Sequence, residues 1–122
     1  MPDRIPHILV VGDDKRARKL IADVLRNAGY DVDTPADAYV GLDFASSQDY
    51  DLILVEEDLA LVSGSGFRET LRSLGKTTPI VMLTDRSPDT DAETSGETTV
   101  HKPFQVDHLL QAVALTLGLP RP

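Results

Sequence analysis

The densest chemistry in this 122-residue chain is a knot of three carboxylates, Glu56-Glu57-Asp58, delivered by the apolar run Leu52-Ile53-Leu54-Val55. Carboxylates can hold a hard cation such as Mg²⁺ with several retained waters, or attack a phosphoryl group as nucleophiles. A second acidic step, Gly12-Asp13-Asp14, follows the run Ile8-Leu9-Val10-Val11; Thr84 ends Pro79-Ile80-Val81-Met82-Leu83, and Lys102 follows Val100-His101. A hydroxyl and an ammonium can stabilise oxygens in transfer. If the ends of these runs converge, Asp13, Glu56, Thr84 and Lys102 make an acidic phosphoryl or metal pocket with one cation opposite.

What could bring them together is a parallel sheet. Short apolar runs without polar alternation are the pattern of strands buried on both faces. Ligands of open α/β sheets bind outside the carboxyl ends of such strands. Between the runs lie helical stripes. Leu20, Ile21, Val24, Leu25 and Ala28 share one face of a first helix that Gly29 stops, with Lys15, Arg16, Arg18 and Lys19 forming a solvated face. Tyr30 to Thr34 alternates as an edge strand. Pro35 to Ser47 carries a weaker helix with Ala38, Gly41, Leu42 and Ala45 inward. After a glycine-rich loop, Leu59 to Gly66, a third helix runs to about Leu74 with Phe67, Leu71 and Leu74 inward. The last helix sets Val106, Leu109, Leu110, Val113, Ala114 and Leu117 on one face and stops at Gly118.

The segment from Asp85 to Thr99 differs, for it holds no Val, Ile, Leu, Met or aromatic residue. A crossover between parallel strands needs a helix with an apolar stripe. Here only Ala92 could contribute, so the helix between the fourth and fifth strands is expected to be short or poorly formed. The alternation of five strands and five helices implies a three-layer α/β sandwich with right-handed crossovers.

The bulk numbers narrow the function. The length suits one domain, with a core from about residue 6 to 117 and residues 118–122 as a tail or the start of a linker. A formal net charge of -8 argues against direct nucleic-acid binding or an anionic membrane as partner. There is no cysteine for a disulfide or thiolate site. No stretch approaches the roughly 20 apolar residues of a membrane span, and the amino terminus lacks the apolar core of a signal peptide, so a cytoplasmic location is expected.

Taken together, His7 to Val11 with Asp13-Asp14, Ala28 to Val32, Asp51 to Val55, Pro79 to Thr84 and Lys102-Pro103-Phe104 resemble, in order, the receiver domain of two-component response regulators. The resemblance covers roughly Pro6 to Leu117. It implies a flavodoxin-like (βα)5 fold with a five-stranded parallel sheet of order 2-1-3-4-5. It gives Asp13 the role of a metal-site acid, Thr84 that of switch hydroxyl and Lys102 that of phosphate-contacting lysine, ahead of Pro103, which the family often holds in cis.

Several positions depart from the family pattern. The first acidic-pair position is Gly12, so a metal-site carboxylate is missing unless Asp14 swings in. The phosphoacceptor aspartate is Glu56, the methionine-proline that follows it is Leu59-Ala60, and the switch aromatic of the fifth strand is Thr99. Glutamate carries its carboxylate on the order of 1 Å further out, and misplacements of that size can cost about a hundredfold in rate. Weak Mg²⁺ binding at Asp13, Glu56 and Asp58 is the most the pocket should offer; no other cofactor is expected. Glu56 could instead reach Lys102 permanently, either as a built-in mimic of the phosphorylated state or as a purely structural ion pair.

The expectation is thus an atypical, non-enzymatic pseudo-receiver, independent of phosphorylation. It would meet a histidine kinase, an output domain or another signalling protein through the face formed by residues 85–117, with a homodimer left open. One alternative makes Asp58 the nucleophile of a conventional Mg²⁺-dependent receiver by slipping the register of the third strand, which would spoil the Phe67, Leu71 helix register. Another is a flavodoxin-like small-ligand binder, disfavoured because no glycine-rich loop follows the first strand. Simpler roles compete residue by residue. Asp13 could cap the first helix, Thr84 could be only a strand-end hydroxyl, His101 faces solvent or its neighbours, and Ser63 to Gly66 reads as turn chemistry rather than a phosphate cradle.

Overall fold

The computed structural model describes residues 5–84, 98–101 and 105–118. The three apolar runs become strands β1 (His7–Val11), β3 (Leu52–Glu56) and β4 (Ile80–Thr84), the short segment ending at Val100-His101 gives β5 (Thr98–His101), and the alternating segment gives β2 (Asp31–Asp33). All neighbours pair in parallel, in the order β2-β1-β3-β4-β5. Crossovers are made by helices α1 (Lys15–Asn27), α2 (Ala38–Ser47) and α3 (Gly64–Ser73), and α4 (Val106–Leu117) follows β5. The expected helix between β4 and β5 falls at residues 85–97, outside the described residues.

Continuous apolar strands work here because both faces are covered. On one face Ile8, Val10, Leu52, Leu54, Val81 and Leu83 pack with Ile21, Leu25, Leu109 and Val113 of α1 and α4. On the other, Leu9, Val11, Ile53, Val55 and Met82 pack with Ala38, Ala45, Phe67 and Leu71 of α2 and α3. Two apolar layers sandwich the sheet, each burying one of its faces.

Helix ends follow side-chain chemistry. Asp14 caps α1 by accepting from the Arg16 and Ala17 amides (2.9 and 3.4 Å). This acid offsets the basic first turn of α1, which contains no acid of its own. Asp37 caps α2 through Val40 N–H (2.9 Å), so that helix starts at Ala38 and not at Pro35. Ser63 caps α3 through Gly66 N–H (2.9 Å), and the second half of the expected glycine-rich loop is therefore helix. Gly29 and Gly118 stop α1 and α4 as expected, both with positive φ.

The buried stripes are narrower than the spacing predicts. Leu20, Leu74 and Val106 are exposed by about half or more (63, 57 and 49%). In α1 the buried positions are Ile21, Ala22 and Leu25, so the face turns by one residue and Ala22 takes the close approach that Leu20 could not. Leu74 follows the last turn of α3, beyond the reach of the sheet, and Val106 opens α4 before its buried face begins at Leu109.

The amino end of the sheet is closed by a polar cluster. One carboxylate oxygen of Asp33 meets His7 Nε2 at 2.8 Å and accepts from the Tyr50 hydroxyl at 2.7 Å, and the His7 and Tyr50 rings lie 4.4 Å apart. Burial first, then the hydrogen bond and the charge of Asp33, push the Tyr50 phenol well above its ordinary range. The folded state therefore retains a proton that the unfolded chain gives up near pH 10. Stability from this group is complete below that pH and falls as pH rises beyond it. Tyr50→Phe is expected to flatten that alkaline slope in urea unfolding measured from pH 8 to 11, at a cost of about 1 kcal/mol at neutral pH for the lost hydrogen bond.

Candidate functional site

Asp13, Glu56 and Thr84 reach one end of the sheet because β1, β3 and β4 are parallel and in step. Val11 pairs with Val55, and Glu56 pairs with Leu83, one residue short of Thr84. Thr84 is 4% exposed, the one buried polar residue of the described core. Glu56 is half-buried and Asp13 exposed. Residues 102–104 lie outside the described residues, as do the side chains of Thr99 and His101, so the expected Glu56–Lys102 pair and the roles of Pro103 and Thr99 fall outside them too.

The two acids after β1 have separate duties. Asp14 is turned into the α1 cap and does not swing into the pocket. Capping thus falls to Asp14 and not to Asp13. Asp13 crosses to the β3–α3 loop, where its Oδ2 accepts from Ala60 N–H at 2.5 Å. Arg18, expected on a solvated face, instead donates to the Gly12 carbonyl (2.7 Å) and reaches the Ala36 carbonyl (3.5 Å), tying the β1–α1 and β2–α2 loops together. Lys19 stays outside in an exposed pair with Asp23 (3.1 Å).

Beyond β3 the backbone is pinned before it becomes a loop. Glu57 N–H donates to Leu83 O at 2.7 Å and Glu57 O accepts from Gly64 N–H at 2.9 Å. Glu56 is thereby held at the strand end, while Asp58, two residues beyond the strand, is exposed. Phe67 and Leu71 are fully buried, so the register that places Glu56 at the strand end also seats α3.

Glu56 packs beside its cross-strand neighbour Gly12. A Cβ on Gly12 would stand 3.1 Å from Glu56 Cγ and 3.2 Å from Glu56 Oε2. The space that a side chain at position 12 would take is filled by the longer acid. Gly12 supplies no ligand, one oxygen of Asp13 is engaged by Ala60, and among the described residues no three His, Asp or Glu side chains are gathered to hold a metal ion. A Mg²⁺ ion held here would rest on Asp13 and Glu56 with several retained waters, without a carboxylate from position 12. The reciprocal packing of positions 12 and 56 was missed by residue-by-residue reading. The signal was present in the pairing of a missing acid with an overlong one.

The family described as the response regulator receiver domain matches residues 8–114. The transcriptional regulatory protein DltR of Streptococcus agalactiae is 33% identical over 112 residues, covering 88% of this chain and 50% of that protein. The response regulator ArlR of Staphylococcus saprophyticus is 33% identical over 115 residues, covering 90% and 51%. The chain spans about half the length of the curated relatives it matches. Among solved structures, the chemotaxis response regulator CheY4 of Vibrio cholerae superposes with a TM-score of 0.83 at 30% identity, covering 93% of this chain and 99% of that one. The receiver domain of the sensor histidine kinase PA1611 from Pseudomonas aeruginosa, with a magnesium ion coordinated in its active-site cleft, gives 0.83 at 28% identity, covering 94% and 99%.

Proposed function

This chain belongs to the response regulator receiver domain family, and on that footing we propose that it is an atypical receiver, a pseudo-receiver that signals by protein–protein contact without needing phosphorylation. The observation that carries this reading is the Glu56 carboxylate at the carboxyl end of β3, folded against Gly12. A nucleophile needs its reacting atoms about 3 Å from target and aligned. The longer acid lies against Gly12, and a second acid at position 12 that would help gather a cation is absent.

The partner is a histidine kinase, an output domain or another signalling protein, met in the cytoplasm through the face that includes β5 and α4. Val106 and Leu115 of α4 are exposed by about half, which gives that helix apolar surface to offer (49 and 56%). No helix among the described residues is long and apolar enough to cross a membrane.

The test is intact-mass measurement after incubation with Mg²⁺ and acetyl phosphate. The wild-type protein is expected to gain no phosphoryl group under conditions that label a conventional receiver to near completion. A stoichiometric single adduct would overturn the reading. Its loss in Asp58→Asn would assign it to the exposed acid beyond β3, and its loss in Glu56→Gln to the strand-end acid.

A further inference from the structure

Gly12 needs an explanation that its backbone does not supply. The described glycines with positive φ are Gly29, Gly75 and Gly118, so Gly12 adopts a conformation open to any residue. What an added Cβ there would meet is Glu56, for its three nearest neighbours are Glu56 Cγ at 3.1 Å, Oε2 at 3.2 Å and Cδ at 3.6 Å. The first two separations are tighter than ordinary van der Waals contact. A carboxylate at position 12 would add like-charge repulsion at the same short range.

We propose that Gly12 and Glu56 are a matched pair: the absence of a side chain at position 12 seats the longer acid, and the longer acid excludes an acid from position 12. The Mg²⁺ site is then disabled twice over, and neither single reversion restores it. Gly12→Asp alone drives a carboxylate into Glu56, whereas Glu56→Asp alone leaves Asp13 without its companion acid. Position 12 thus determines specificity at this pocket through Glu56, and the inference rests on reading Glu56 as the residue at the acceptor position.

The test is a double-mutant cycle on the full chain with two readouts. In calorimetric titration with MgCl2, Gly12→Asp and Glu56→Asp are each expected to leave affinity close to that of the wild type. The double variant should gain on the order of tenfold or more, a step of the size metal sites show when a supporting group is restored. In thermal unfolding without metal, Gly12→Ala is expected to lower the midpoint by about 2–8 °C with Glu56 in place, and by less than half as much beside Glu56→Asp. This alanine variant keeps the idea testable if Gly12→Asp does not fold.

Gains that simply multiply would overturn the pairing, as would a full gain from Gly12→Asp alone, four equally weak titrations, or an alanine penalty indifferent to residue 56. A phosphoryl adduct on the wild-type protein would sink the phosphorylation-independent reading and leave this cycle standing, so the two failures can be told apart.

Discussion

Phe67→Ala is expected to lower the unfolding free energy by about 3–5 kcal/mol, the largest single loss among the substitutions considered for this domain. Phe67 is fully buried and, among the described residues, is the bulkiest of the completely enclosed side chains. It projects from α3 into the layer formed by Leu9, Val11, Ile53 and Val55, and its ring edge approaches α2 closely enough that a Cβ on Gly41 would lie 3.3 Å from it. Removing the ring leaves a hole bordered by two helices and the sheet, and elements tied on several sides cannot close it. Domains of this size are stable by only about 5–15 kcal/mol, so the variant should retain a fold with a much earlier urea midpoint. An unchanged midpoint would mean that α3 does not lie on the sheet as described.

Gly64→Ala carries the second large effect, and its sign is the informative part. Inside a helix this change ordinarily gains up to about 1 kcal/mol, because glycine orders at greater entropic cost. Here the added Cβ would lie 2.6 Å from Met82 Sδ, 2.9 Å from Glu56 O and 2.9 Å from the Glu57 Cα. The sulfur can turn aside, but the two backbone atoms are fixed by the Glu57 bonds to Leu83 and Gly64. Overpacking against an immovable wall costs about 1–3 kcal/mol, enough to reverse the helix gain. Equilibrium denaturation followed by circular dichroism checks this, and a stabilised variant would show that the first turn of α3 stands away from the strand end.

Much of this architecture could be read from the chain because its signals are local. Three apolar runs without alternation become strands buried on both faces, and Asp31–Asp33, with Val32 buried between two acids, is the edge. Gly29 and Gly118 mark helix ends whose positive φ only glycine adopts cheaply. Exposure at Leu20, Leu74 and Val106 was not legible, since a leucine on the flank of a stripe looks like one at its centre until the neighbouring layer fixes the helix rotation. At the site, the strand-end position of Glu56 followed from register alone. The duties of Asp13, Asp14 and Arg18 did not, because each is decided by which loop amide or carbonyl comes within reach across the fold. Adjacent acids of the same type look interchangeable in a sequence, and here one caps a helix while the other fastens a distant loop.

Those fastenings give the carboxyl rim of the sheet a common yoke. The Gly12 carbonyl is gripped by Arg18, which also holds the Ala36 carbonyl, and the neighbouring Asp13 carboxylate is gripped by Ala60 N–H. Three loops that leave three different strands are therefore laced through two residues. A binding partner that pried the β3–α3 loop away from the sheet would first have to unfasten Asp13, and a partner that left that stitch intact would tow all three loops as a single flap.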